Sequence, residues 1–320
     1  MCYLDWQYVA RSIALKWVVR LFGGPFVSPR PAEDSKRKLE QMSFERSLEH
    51  TLLEYWKSIR SKTVTSEKVI QKKRDEVVAS LTLGGGGVLD SLFASGLSGQ
   101  EAFDNALNAM IAAFDAAQSL LFWIIVNLSK TKSGWDECQQ CVLQEEVYEK
   151  DLKGLAKFKQ VAAQGKMTDY SSLSYLGRAV CETVRVYPPV WTLPRTWPME
   201  SHLVDLSQSQ SVCCSKVDVL TINGVEHPHE DWHPEDVKSC HIASFGLGRR
   251  SCPAGTAALC AVYHASTEVL KRVECMEYSL KWKSPVDSTM LVPTLSIGSP
   301  YCPFYHTKLR GTAECNALQD

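Results

Sequence analysis

A mainly α-helical fold with small β-sheets is predicted for this 320-residue chain by three observations. Apolar residues recur at helical spacing in several segments before residue 187. A Tyr-Pro-Pro sequence at 187–189 stops the last of those helices, because proline lacks the amide hydrogen a helix needs. From there to residue 245 the texture changes to short apolar pairs among Ser, His and Pro, which suits short strands in an irregular meander.

The first helical pattern covers residues 5–23, and the second covers 43–60 through Phe44, Leu48, Leu52, Tyr55, Trp56 and Ile59. Between them, GGPFVSPRPAED is a loop by its Gly and Pro content. Asp5, Arg11, Lys16 and Arg20 run through the apolar start, which argues against a secretory leader and suits an amphipathic helix lying on a membrane surface. The charged stretch SEKVIQKKRDEVV leads into LTLGGGGVLD, whose glycines invite comparison with a phosphate cradle. No Lys-Ser/Thr pair follows them, so they are read as a linker.

Ser98 and Glu101 stand at capping-box spacing and predict the start of a long helix reaching about Leu128. Its run 109–128 is nearly long enough to span a membrane, but Asp115, Gln118 and Asn127 interrupt it, so a buried helix of a soluble domain is expected. One further helix is predicted through WDECQQCVLQEEVYEKDL, 135–152, and another through LSYLGRAVCETVRVY, 173–187. The last, 254–273, carries Leu259, Val262, Val269 and Leu270 on one face. The chain is thus read as an N-terminal helical region, 1–86, and a core, 87–320, forming one domain together.

Composition is that of a globular protein, 45% hydrophobic and 22% charged. Its formal net charge of -1 gives no whole-chain field for nucleic acid, which is excluded as an expected partner. Twelve cysteines without framework spacing predict a reducing compartment, with most thiols acting as small apolar side chains.

The most informative segment is FGLGRRSCPAG, 245–255. It sets one sulfur, Cys252, just ahead of a helix, where backbone N–H groups and the helix dipole favour negative charge. Gly248 allows a tight backbone and Arg250 offers a donor fork to a carboxylate. The string resembles the haem-binding loop of the cytochrome P-450 family, FxxGxRxCxG: Phe245, Gly248, Arg250 and Cys252 match, and Ala254 stands for the last glycine. By that resemblance Cys252 is the metal ligand of a haem b, Arg250 contacts a propionate, and Phe245 packs near the sulfur.

Further motifs agree in order and spacing. Glu182 and Arg185 lie three apart on a predicted helix and can pair. They match the ExxR of the family's helix K, and the flanking Tyr-Pro-Pro leads to Arg195, by resemblance a second propionate partner. Upstream, IAAFDAAQSLLFWIIVNL resembles helix I, with Ala112 and Asp115 in place. Ala113 replaces a glycine there, and Ala116 the threonine whose hydroxyl orders water beside bound dioxygen. The stretches 136–152 and 169–182 resemble helix J and the approach to helix K. The resemblance implies a partial cytochrome P-450 fold, roughly helices F/G to L, and covers 87–320.

Two departures stand out. Trp56 and Arg60 have the spacing of the family's WxxxR but lie too near the helix I candidate, and are read as structural. No arginine stands at the PxRF position before the cysteine loop, which leaves Glu182 and Arg185 with only each other. Among other metal-like groupings, Cys138 and Cys141 lack a second pair and are read as core. His227, His229 and His233, interleaved with Pro228 and Pro234, are read as exposed loop residues.

The resemblance implies a monooxygenase inserting one oxygen atom from dioxygen into a small apolar organic substrate, with Asp115 and Ala116 at the distal side. Electrons are expected from a partner such as a NADPH-dependent flavoprotein reductase, since the chain has no flavin or nicotinamide fingerprint. Two alternatives stay open: a haem-thiolate peroxygenase or isomerase, favoured by Ala116, and a shortened, non-catalytic relative.

Overall fold

The computed structural model describes residues 6–23, 34–60, 66–84, 88–128, 132–190, 234, 239–241, 244–274, 289–290, 296–297 and 308–309. Helix takes 82% of them, which settles the mainly helical class. Arg195, His227, His229 and His233 lie outside the described residues.

Two compact units emerge. One comprises residues 11–115; the other comprises the described residues of 1–10 and 116–320. In the first, α1 (Trp6–Gly23), α2 (Asp34–Arg60), α3 (Glu67–Gly84), α4 (Val88–Ala94) and α5 (Gly99–Leu128) contribute. The α2 and α3 helices pack side by side. Leu48 and Leu52 of α2, Val77 of α3, and Ala102, Ala106, Met110 and Phe114 of α5 are fully buried. The last four recur every fourth residue, so a single stripe of α5 faces that core.

The expected capping box closes the start of α5: Ser98 N–H donates to Glu101 Oε2 at 3.0 Å, and Glu101 N–H donates to Ser98 Oγ at 3.3 Å. Two helices extend beyond the apolar pattern. The α2 helix begins at Asp34, nine residues before residue 43, and the charged stretch read without secondary structure is the helix α3. Lys, Arg, Glu, Gln and Leu are good helix formers, so propensity holds these segments helical where apolar spacing gives no signal. Although α5 is long and apolar enough to cross a membrane, 61% of its most apolar window is buried inside the protein.

The second unit is built on α6 (Lys132–Cys141), α7 (Glu145–Ala163), α8 (Tyr175–Val186) and α9 (Gly255–Arg272). The single helix expected over 135–152 is two. Gln144 is extended (φ -106, ψ 110) as the N-cap of α7, and Glu145 and Glu146 in the first turn suit the positive helix start. Leu259, Val262, Val269 and Leu270 of α9 are buried as one face, against α6, α7 and α8. Gln139 Nε2 donates to Leu270 O at 2.8 Å, fixing the α6–α9 contact.

Among the described residues strands are few and short. β1 (Met167–Asp169) pairs antiparallel with β2 (Ser239–His241), Thr168 facing Cys240. β3 (Val273–Glu274) pairs with β6 (Lys308–Leu309), and β4 (Thr289–Met290) with β5 (Ser296–Ile297). β1 and β2 bring the chain after residue 238 back beside the α7–α8 connection, from which it enters the cysteine loop.

Candidate functional site

The α8 helix is buried at every position except Arg178. Ser174 caps it by accepting from Gly177 N–H at 3.2 Å, and the chain leaves the helix at Tyr187. Glu182 and Arg185, at 0% and 1% exposure, form a two-point pair: Nε donates to Oε2 and Nη2 to Oε1, each at 2.7 Å. The expectation that they have only each other is overturned. Tyr170, fully buried in the β1–α8 connection, donates its hydroxyl to Glu182 Oε2 at 3.3 Å. An isolated ion pair at such depth rarely repays its lost hydration, and further donors are what make burial tolerable.

One turn further along α8, Val184 O accepts a 2.8 Å hydrogen bond from Ser244 Oγ, the residue just before Phe245. The loop folds back on itself: Cys252 N–H donates to Phe245 O at 2.6 Å and Ser251 N–H to Gly248 O at 3.1 Å. Gly246 (φ +68) and Gly248 (φ +60) take the left-handed backbone this reversal needs. Gly248–Arg250 forms a single 3-10 turn. Gly255, first residue of α9, is wedged so tightly that a Cβ there would lie 2.8 Å from Lys159 Cε of α7 and 3.0 Å from Phe245 Cδ1. The loop is therefore bonded to α8 at its start and ends where Gly255 of α9 lies beside the Lys159 side chain of α7.

Cys252 is half-buried, carries a free thiol, and stands three residues before α9. Phe245 is half-buried, while Gly248 and Arg250 are exposed. The structure thus brings Phe245, Gly248, Arg250 and Cys252 together on one loop and ties that loop to the helix bearing Glu182 and Arg185.

A second buried network fixes the same helices. Asp151 of α7, fully buried, accepts from Ser174 N–H at 2.9 Å, from the Ser174 hydroxyl, and from the Tyr263 hydroxyl of α9 at 2.9 Å. Burial, then the adjacent Asp151 carboxylate, pushes the Tyr263 phenol well above the usual tyrosine range. Neither Tyr170 nor Asp151 stood out in the sequence, since a tyrosine before a helix and an aspartate within one are ordinary.

Asp115 and Ala116 sit half-buried on α5. Asp115 belongs to the 11–115 unit, where Trp56 Nε1 donates to its Oδ1 at 3.3 Å. Trp56, read as structural, is largely buried there; its ring meets Phe114 edge-on at 5.4 Å and lies under Arg11 at 5.2 Å. Further along α5, in the other unit, Trp123 stacks on Tyr187 with centroids 4.3 Å apart.

The other metal-like pair is accounted for by the core. Cys138 is fully buried, and burial first, then neighbouring Cys141, pushes its thiol far up. Among the described residues no three His, Cys, Asp or Glu side chains gather as a metal cage. A haem asks for less, a single axial sulfur and cations for its carboxylates. The donor set fits that demand: a free, half-buried thiol at a helix mouth, with an exposed guanidinium two residues before it. No protein-family model matches this chain, and no curated protein matches it.

Proposed function

We propose that the chain is a haem-thiolate oxidoreductase of cytochrome P-450 type, holding haem b through Cys252. In this reading it inserts one oxygen atom from dioxygen into a small apolar organic substrate. Its helices α5, α8 and α9 then stand for helices I, K and L of a partial P-450 fold, and α6 and α7 for the helix J region. The observation that carries the reading is the loop 244–255, which offers one half-buried thiol and is tied to a helix with a buried Glu182–Arg185 pair.

A thiolate-ligated haem supplies oxygen activation, because sulfur donates electron density that favours O–O cleavage. The chain supplies position and charge. The Phe245–Cys252 backbone bond and the two left-handed glycines set the backbone from which the sulfur projects. By resemblance Arg250 and Arg195 would hold the haem propionates through charge-assisted hydrogen bonds. Phe245 would, by resemblance, pack near the sulfur. Asp115, an acid–base candidate by resemblance alone, accepts from the Trp56 indole at its Oδ1. The two electrons come from a partner such as a NADPH-dependent flavoprotein reductase.

The methyl group of Ala116 favours a second reading. A methyl cannot order the water that delivers protons to dioxygen, whereas a peroxygenase or isomerase does not depend on that hydroxyl. Turnover driven by peroxide without a reductase separates the two. A non-catalytic relative is the third possibility, supported by the lack of the PxRF arginine.

Expression with a haem precursor, reduction and carbon monoxide addition test the reading. A strongly red-shifted Soret band is expected and should vanish in Cys252→Ala. Folded wild-type protein without that band would overturn haem-thiolate function; a band retained by Cys252→Ala would overturn the ligand assignment.

A further inference from the structure

We infer that Tyr170 is a positioning residue for the Cys252 loop, its hydroxyl acting as a third partner in the buried Glu182–Arg185 pair. The inference rests on the proposed haem-thiolate function and extends it to a residue no P-450 motif includes.

Tyr170 combines three properties. It is fully buried, its ring meets Phe158 of α7 edge-on at 5.8 Å, and its hydroxyl reaches Glu182 Oε2 of α8 at 3.3 Å. It therefore bonds to α8 while packing on α7. Those two helices meet the cysteine loop at its two ends, α8 through Ser244 to Val184 and α7 through the Lys159 side chain beside Gly255. The side chain that sets their spacing also sets where the loop holds its sulfur.

Removing the hydroxyl alone leaves the ring to fill its space, so the fold has no new cavity to collapse. Glu182 keeps Arg185 but loses the Tyr170 donor where both side chains of the pair are at or near zero exposure, which loosens how α8 is held. A small shift of α8 moves Val184 O and with it the entry of the loop. Supporting residues behind a metal ligand commonly change metal affinity by roughly 10- to 100-fold.

The test compares wild type, Tyr170→Phe and Val180→Ala in the 320-residue chain titrated with haemin, with thermal melting of the haem-free forms. Val180 is fully buried on α8, and its truncation removes methyl groups without touching the polar network. We expect Tyr170→Phe to bind haemin about tenfold more weakly. Part of its reduced carbon monoxide complex should lose the red shift, as a misplaced or protonated sulfur gives. Val180→Ala should melt earlier and keep both the affinity and the band. Equal affinity and an unchanged band in Tyr170→Phe would overturn the inference while leaving haem-thiolate binding intact. So would an identical spectral loss in Val180→Ala, because stability alone would then explain it. Failure of the wild type to bind haemin would instead overturn the functional proposal on which the inference rests.

Discussion

Both units carry exposed ion pairs, Lys271–Glu268 among those of the second, but among the described residues only the second also buries charged side chains. In the 11–115 unit ion pairs are exposed or near the surface, such as Lys57–Glu54 and Lys73–Glu76, three residues apart on one helix each. In the second unit Asp151, Glu182 and Arg185 are at or near zero exposure and are joined by Ser174, Tyr170 and Tyr263. Exposed pairs gain little because water competes for both partners. Buried ones require every polar atom to be positioned, so they fix geometry where surface pairs do not. The second unit spends that geometry on the helices around Cys252.

The largest expected effect comes from leaving one buried charge alone. Arg185→Met or Glu182→Leu should destabilise the protein by about 3–5 kcal/mol, read by denaturant unfolding. A loss as small as that of a surface pair would erase the contrast between the units. Next comes Asp151→Ala, which strands the Ser174 and Tyr263 donors. Roughly 2–3 kcal/mol is expected, together with weaker hydrogen-exchange protection in the first turn of α8.

Alkaline pH should strike the second unit. Burial holds the Cys138 thiol and the Tyr263 phenol protonated above their ordinary values of 9.0 and 10.0. Above those values the unfolded chain releases protons that the folded one keeps, so their contribution is complete below pH 9 and stability falls as pH rises further. Tyr263→Phe should flatten part of that fall above pH 10; an unchanged slope would mean the phenol does not couple to folding. The smallest effect belongs to the surface. Lys57→Ala should change stability by less than about 0.5 kcal/mol, because its partner Glu54 is solvated. That carboxyl is drawn below its ordinary value by Lys57, so whatever it adds is present above pH 4.5 and lost as pH falls.

How much was legible in the sequence follows from the range of each interaction. Capping at Ser98 and Glu101, the end of α8 at the two prolines and the buried face of α9 are local patterns, and the structure contains all three. The Cys252 loop could be read because glycine, arginine and cysteine stand at fixed offsets within eleven residues. The break between α6 and α7 was hidden, since Val142 and Leu143 continue the apolar texture while one is buried and the other 74% exposed. Helix α3 was hidden because charge, rather than apolar spacing, dominates it. Tyr170 with Glu182 and Asp151 with Tyr263 were hidden for a different reason. Their partners are 12 and 112 residues apart, and only the packing of α7, α8 and α9 brings them together.

The claim that Cys252 sulfur holds the iron is tested most directly by X-ray absorption at the iron edge of haem-reconstituted protein. One sulfur scatterer in the first coordination shell of the wild type, absent in Cys252→Ser, is the expected result. A shell of nitrogen and oxygen alone in the wild type would contradict it, as would a sulfur scatterer that survives the substitution.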